Sequence, residues 1–299
     1  MKRSLAVLLA SCLAVSAHAE QFNVLVFSKT AGWHHDAIPA GVAAVQNLGK
    51  LHDFKVFWTE DANRVFNDKE LGKYQAVMFL LTTGDVLDDK QQAAFERYIQ
   101  AGGGYVGVHS AADTEHGWPW YTRLVGRMFQ MHPAVQTAVL KVEDRNFPGM
   151  ERYAARSLAT EEWYEFGPPR TDQIKYLLTV DESTYKPEAS SGERHSKGMG
   201  AFHPVSWYQH YDQGRSFYTA LGHLPQQNIG GLVQHGRLDE QRPGLTEILI
   251  DAVSPLLIHL TQHCLARGIP IIGIAFDVTQ IVPLEGLLTG DHHASQANE

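Results

Sequence analysis

Cysteine is nearly missing from this chain: two occur in 299 residues, Cys12 and Cys264. Cys12 lies in an apolar leader, so the remainder keeps a single thiol. One cysteine can neither close an internal disulfide nor form a zinc-ligand pair. A domain that uses no staples must be held by a large core. Excess positive charge is missing too. The formal net charge is −8 and no basic cluster occurs, which speaks against a nucleic-acid partner. The usual chemical fingerprints are also absent. No Gly-x-Gly-x-x-Gly follows the first apolar run, so a dinucleotide cofactor is not expected. There is no Walker loop, no His-Glu-x-x-His, and no Gly-x-Ser-x-Gly of the serine esterases.

What is present begins with the leader. Lys2 and Arg3 precede an apolar stretch from Leu5 to Val15, and Ala17-His18-Ala19 follows as a small-x-small cleavage site. Residues 1–19 read as a secretory signal, cleaved after Ala19. The stretch is too short to span a bilayer, so no integral membrane span is expected. Leu9-Ala10-Ser11-Cys12 is a weaker alternative, a lipoprotein box, because the apolar run before Cys12 is short and continues past it. Export to the periplasm or medium is the expectation.

Sixteen histidines exceed the ordinary share and fall largely at loop positions, which points to proton or metal chemistry. The apolar runs Phe22–Ser28, Phe54–Thr59, Gln75–Leu81 and Tyr105–Val108 read as strands. Amphipathic segments alternate with them, one after Asp36 with Pro39 in its first turn, one from Asp88 to Gln100. A short helix is expected near the end of the polar Asp61–Lys73 segment. That β-α-β order predicts a parallel sheet with helices on both faces. Beyond His116 the pattern changes. A short helix is expected from Trp118 to about Val125. Strands are expected at Ala134–Val142, Ile174–Val180, Gly200–Tyr208 and Arg215–Leu221, the last two paired. Pro187–Lys197 reads as a mobile loop. Residues 20–225 form the expected domain and 226–299 an extension, with a helical pattern at Leu245–Ala266 and a strand at Gly268–Val278.

In a parallel α/β sheet, ligands bind outside the carboxyl ends of strands. Gly102-Gly103-Gly104 followed by Tyr105–Val108 places His109 at such an end, near Ser110 and Asp113. The other strand-end loops bring His34 and His35, then Thr82 and Thr83, to the same rim. The polar set is therefore His34, His35, His109, Asp113, Glu162, Tyr164, His203 and His223. Imidazoles with carboxylates can relay protons near neutral pH or hold a zinc-like ion. Taken singly, each histidine is more commonly structural. Trp33, Trp118, Trp120, Trp163 and Trp207 could offer flat faces to sugar rings, although tryptophan more often packs in cores.

Four segments give the chain a resemblance to the ThuA-like family, named for trehalose utilisation. They are Ser28–His35, Gly102–His109, Glu161–Phe166, and His203–Trp207 with Gly214–His223. The resemblance implies a flavodoxin-like α/β fold, similar to class I glutamine amidotransferases: a parallel sheet with flanking helices and added antiparallel strands. In those amidotransferases a cysteine nucleophile occupies the strand-to-helix elbow. Here the corresponding place carries His109, so glutamine hydrolysis is not expected. The first expectation is an exported protein acting on a carbohydrate or keto-sugar derivative. Its catalytic groups would be His109, Glu162 and His223. His34, His35, Asp113, Tyr164, His203 and Trp207 would bind substrate. A metal-dependent hydrolase or lyase with zinc on the same imidazoles is the alternative, and a carbohydrate-binding module without turnover is a third. Oligomeric state is not legible.

Overall fold

The computed structural model describes residues 21–150 and 153–225. The segment expected to be a signal, Cys12, the 226–299 extension and Cys264 lie outside the described residues. No described helix is long and apolar enough to cross a membrane.

The domain is organised by one nine-stranded sheet. Its parallel half holds β1 (Asn23–Phe27), β2 (Lys55–Thr59), β3 (Ala76–Leu80), β4 (Gly104–Val108) and β13 (Gly214–Thr219), in the order β2-β1-β3-β4-β13. This is the doubly wound flavodoxin-like arrangement. The central strands β3 and β4 are buried at every residue, as their continuous apolar runs require. Beyond β13 the sheet turns antiparallel through β12 (His203–Tyr211), β9 (Lys175–Asp181), β6 (Gln136–Val142) and β7 (Arg156–Glu161). Four alternations of direction leave β7 running in the same sense as β13, so both carboxyl ends lie on one edge. The expected α/β class, with flanking helices and added antiparallel strands, is the one observed.

The flanking helices follow from local chemistry. In α4 (Asp89–Gln100) the Asp88 side chain accepts from Lys90 and Gln91 N–H, and Gln91 reaches back to Asp88 N–H, a reciprocal cap. Phe95 and Ile99 face the core. The polar 61–73 segment holds two short helices, α2 (Ala62–Val65) and α3 (Asp68–Leu71), capped by Asp61 and Asn67. A fifth helix, α5 (Pro119–Val125), opens on proline as expected. The cap of α1 (Ile38–Leu51) differs from expectation. Ala37, not Asp36, precedes the first turn and no side chain caps it. Ile38 N–H instead donates to His35 C=O, because His35 is drawn inward. The Pro187–Lys197 loop is also corrected. It contains a hairpin, β10 (Ala189–Ser191) against β11 (Arg194–Ser196), turned by Gly192 at φ +60°. A separate two-stranded ladder joins β5 (Phe129–Met131) to β8 (Glu165–Phe166).

Candidate functional site

The parallel strands deliver the site. The loop after β1 carries His35, the elbow after β4 carries His109, and the segment after β13 carries His223. The chain leaving β7 adds Glu162 from the far side of the sheet. His35, His109 and Glu162 are buried and His223 is half-buried, and one ligand atom from each lies within 4.8 Å of the others.

His109 sits in the left-handed backbone region, at φ +53°, between β4 and a single tight helical turn over His109–Asp113. A non-glycine residue held there costs about 1–3 kcal/mol, so neighbours must fix it. Tyr218 hydroxyl donates to His109 C=O at 2.7 Å, and His109 Nδ1 donates to Ala220 C=O at 2.7 Å. The second bond assigns the tautomer: in the neutral ring, Nε2 carries the lone pair. That lone pair faces His223 Nδ1 at 3.3 Å and Glu162 Oε2 at 3.3 Å. The third side of the triangle, His223 Nδ1 to Glu162 Oε2, is also 3.3 Å. The His35 ring stands edge-on to His109 and His223, at centroid separations of 5.0 and 5.6 Å. Its Nδ1 lies 3.4 Å from Ser110 Oγ.

The electrostatics favour neutral imidazoles around one carboxylate. Burial, then His109 and His223, pull His35 down to about 3. Burial also lowers His223, although Glu162 opposes it. For Glu162, burial alone would raise the carboxyl. The His109 hydrogen bond and the electrostatic interaction with the surrounding His109, His132 and His223 rings together hold it below the usual range. Two uncharged rings and an anion are the protonation states a cation needs.

Two groups escape the sequence reading. His132 Nδ1 lies 3.2 Å from Glu162 Oε1, with its side chain 37% exposed, and so links the cluster to solvent. It follows a three-residue strand, too short to leave a periodic signal. Glu161 is fully buried beneath the site. Its carboxylate accepts from Gly222 N–H at 2.7 Å and from His223 N–H at 3.1 Å, which fixes the backbone that presents His223. Burial pushes this carboxyl up to about 7, against the pull of His109 and three backbone N–H groups.

The remaining expected residues are placed as follows. Tyr164 stacks on His109 at a centroid distance of 4.2 Å and walls the cluster. His34 is exposed, with Nδ1 3.2 Å from Thr30 Oγ1. Asp113 pairs outward with His116 at 2.9 Å. His203 is fully buried in a different network: Nδ1 meets Glu182 Oε1 at 2.7 Å and Nε2 meets Tyr164 C=O at 2.8 Å. The Tyr185 hydroxyl also lies 3.1 Å from Nδ1, so both ring nitrogens are occupied within this network. Trp207, read as a sugar platform, is fully buried and donates Nε1–H to Val125 C=O at 2.7 Å; its place is the core. Trp118 and Trp120 are likewise buried and Trp163 wholly so, whereas Trp33 is 73% exposed.

Fold and site together define a flavodoxin-like α/β domain with an imidazole–carboxylate cluster at its strand ends. Residues 23–229 match the family model described as ThuA, trehalose utilisation. The chain belongs to this family. It is similar in structure to a protein of Bacteroides uniformis described as ThuA-like, at 21% identity and a TM-score of 0.60, over 82% of this chain and 94% of that one. A protein of Parabacteroides merdae with the same description shares 19% identity and a TM-score of 0.57, over 79% and 90%. No protein among the curated sequences compared matches the chain.

Proposed function

We propose that this chain is an enzyme built around a zinc-like divalent cation, held by His109 Nε2, His223 Nδ1 and Glu162 Oε2 with His35 alongside. One observation carries the reading: three facing ligand atoms separated by 3.3 Å on every side. A direct charge-assisted N–H···O bond would be about 2.7–2.9 Å. A tetrahedral ion with bonds of about 2.0–2.1 Å sets its ligand atoms about 3.3–3.4 Å apart. Two imidazoles and a carboxylate suit zinc in softness, and the His109 Nδ1 bond to a backbone carbonyl is the usual way a ligating ring is oriented.

Such an ion, when bound, polarises a hydroxyl or carbonyl oxygen of substrate. His132, on the other oxygen of Glu162, is placed to exchange protons with solvent. That combination suits a hydrolase or lyase. A carbohydrate or keto-sugar derivative as substrate is supported by the family's description, trehalose utilisation. Export with cleavage after Ala19 is supported by the leader pattern. A second reading, metal-free acid–base chemistry by Glu162 with His109 or His223, is favoured by the same His132 contact, which gives the carboxylate a proton route.

The test is metal content by mass spectrometry on the untagged full-length chain, with Glu162→Gln alongside. The expected result is about one zinc per wild-type chain and loss of tight zinc in the variant. Zinc retained unchanged by the variant would place the metal elsewhere. A metal-free chain that turns over keto-sugars at full rate would establish the acid–base reading instead.

A further inference from the structure

A cleft of about 740 Å³ opens between the β5–β8 ladder and the β10–β11 hairpin, lined by Arg127, Gln130, Glu165, Arg194 and Phe202 among others. It includes no member of the histidine cluster. The volume is that of a small-molecule site. Glu165 is the residue that calls for a ligand. The residue is buried, only 5% exposed. Oε2 accepts from the Ser196 hydroxyl, while Oε1 is buried with no hydrogen-bond partner among the described residues. A buried carboxylate oxygen left unmatched has its desolvation cost uncompensated, and native folds seldom tolerate it without a purpose. Burial pushes the Glu165 carboxyl up, with the Ser196 bond opposing, so a further donor to Oε1 would relieve a real deficit.

Two guanidinium groups share the cleft. Arg127 donates Nε–H to Tyr176 hydroxyl and one terminal N–H to Gly167 C=O, both at 3.0 Å, and lies over the Tyr176 ring. Its other terminal nitrogen has no partner among the described residues. Arg194 makes one long bond, 3.5 Å to Gln130 C=O. Neither has a carboxylate within ion-pair distance among the described residues, and the free oxygen of Glu165 is bonded to neither. Phe202 adds an apolar wall, 45% exposed.

We propose that this cleft binds a hydroxylated carboxylate of monosaccharide size, a sugar acid. Its carboxylate would lie on Arg127 and Arg194, one hydroxyl would donate to Glu165 Oε1, and its apolar ring face would rest on Phe202. A neutral sugar would leave both guanidinium groups without a counter-ion, and a simple anion would leave Glu165 Oε1 unmatched. The inference does not rest on the cation proposed above.

The experiment is calorimetric titration of the untagged full-length chain with D-glucuronate, and with D-glucose and acetate for comparison. Glucuronate should bind saturably at millimolar concentration or below, with glucose and acetate at least about tenfold weaker. Arg194→Gln, on an exposed hairpin, and Glu165→Gln, which keeps the shape, should each weaken glucuronate by about 10- to 100-fold, while the circular dichroism spectrum and whatever zinc the wild type carries stay unchanged. Absence of saturable glucuronate binding overturns the proposal, as does equal affinity for acetate, which would mark an anion site only. Binding that survives both cleft variants but is lost in Glu162→Gln overturns it too, by placing the sugar acid on the histidine centre.

Discussion

If the histidine cluster holds a cation as proposed, removing any one of its four side chains should cost a definite share of the affinity. Zinc held by four protein groups is worth roughly 10–16 kcal/mol. Shared among His35, His109, Glu162 and His223, that is about 2.5–4 kcal/mol each, or about 100- to 1000-fold in Kd. His109 should stand at the upper end. Its ring is fixed by the 2.7 Å bond to Ala220 C=O and its backbone by the 2.7 Å bond from Tyr218, so little orientation is lost when the ion binds. His35, whose Nδ1 is turned to Ser110, should stand at the lower end. The assay is competition for zinc against a chromophoric chelator, using wild type, His109→Ala, Glu162→Gln and His35→Ala. His116→Ala is the control, since His116 is exposed and pairs outward with Asp113. Truncating His109 also opens a gap in a buried region, so metal-free thermal melts must accompany it; Glu162→Gln preserves the shape and isolates the charge. If both principal variants hold zinc within about threefold of wild type, the triangle of ligand atoms is not a metal centre.

Three further outcomes follow from the same geometry. His35 is protonated near 6.5 when unfolded but only near 3 when folded. Between those values the unfolded chain binds the extra proton, so metal-free stability should fall on acidification below about pH 6.5, by at most about 1.4 kcal/mol per pH unit. Urea midpoints between about pH 7 and about pH 5 should show that slope in wild type and a flatter one in His35→Gln; parallel slopes would refute the assignment. Glu182→Ala removes the 2.7 Å partner of the buried His203 Nδ1, leaves only the longer Tyr185 contact there, and should cost about 1–3 kcal/mol by chemical denaturation, with zinc affinity intact once folded. A loss of zinc affinity without a loss of stability would return His203 to the site. Asp88→Ala removes the reciprocal cap of α4 and should lower stability by about 0.5–2 kcal/mol, and an unchanged melting temperature would show that the cap contributes nothing.

The residues that specified the architecture are local ones. The apolar runs at Val24–Phe27, Ala76–Leu80 and Tyr105–Val108, each closed by turn residues, can be satisfied only as buried parallel strands once amphipathic helices alternate with them. Asp88 announced its helix because a cap acts within three residues. The place of His109 at a strand end was legible for the same reason, since a glycine-led apolar strand ends just before it. Where expectation and structure part, the deciding contact is distant or very short in sequence. Asp36 yields its capping place because His35 is drawn into a cluster with His109 and His223. Trp207 and His203 carry the right chemistry for a site, but antiparallel β12 buries one against Tyr218 and Phe166 and pairs the other with Glu182.

Composition and periodicity therefore determined the sheet, its helices and the edge to which the histidine-bearing loops run. Only the tertiary structure decided which side chains meet there. His109 and Glu162 stand 53 positions apart in the sequence. They come within 3.3 Å because four antiparallel turns of the sheet carry the end of β7 back to the edge where β4 and β13 end. Glu161, the last residue of β7, joins them through the same closure, and His132 through the separate β5–β8 ladder. No local pattern encodes such a meeting, because strand pairing at long separation is fixed by burial of the whole sheet and not by the residues that it happens to bring together.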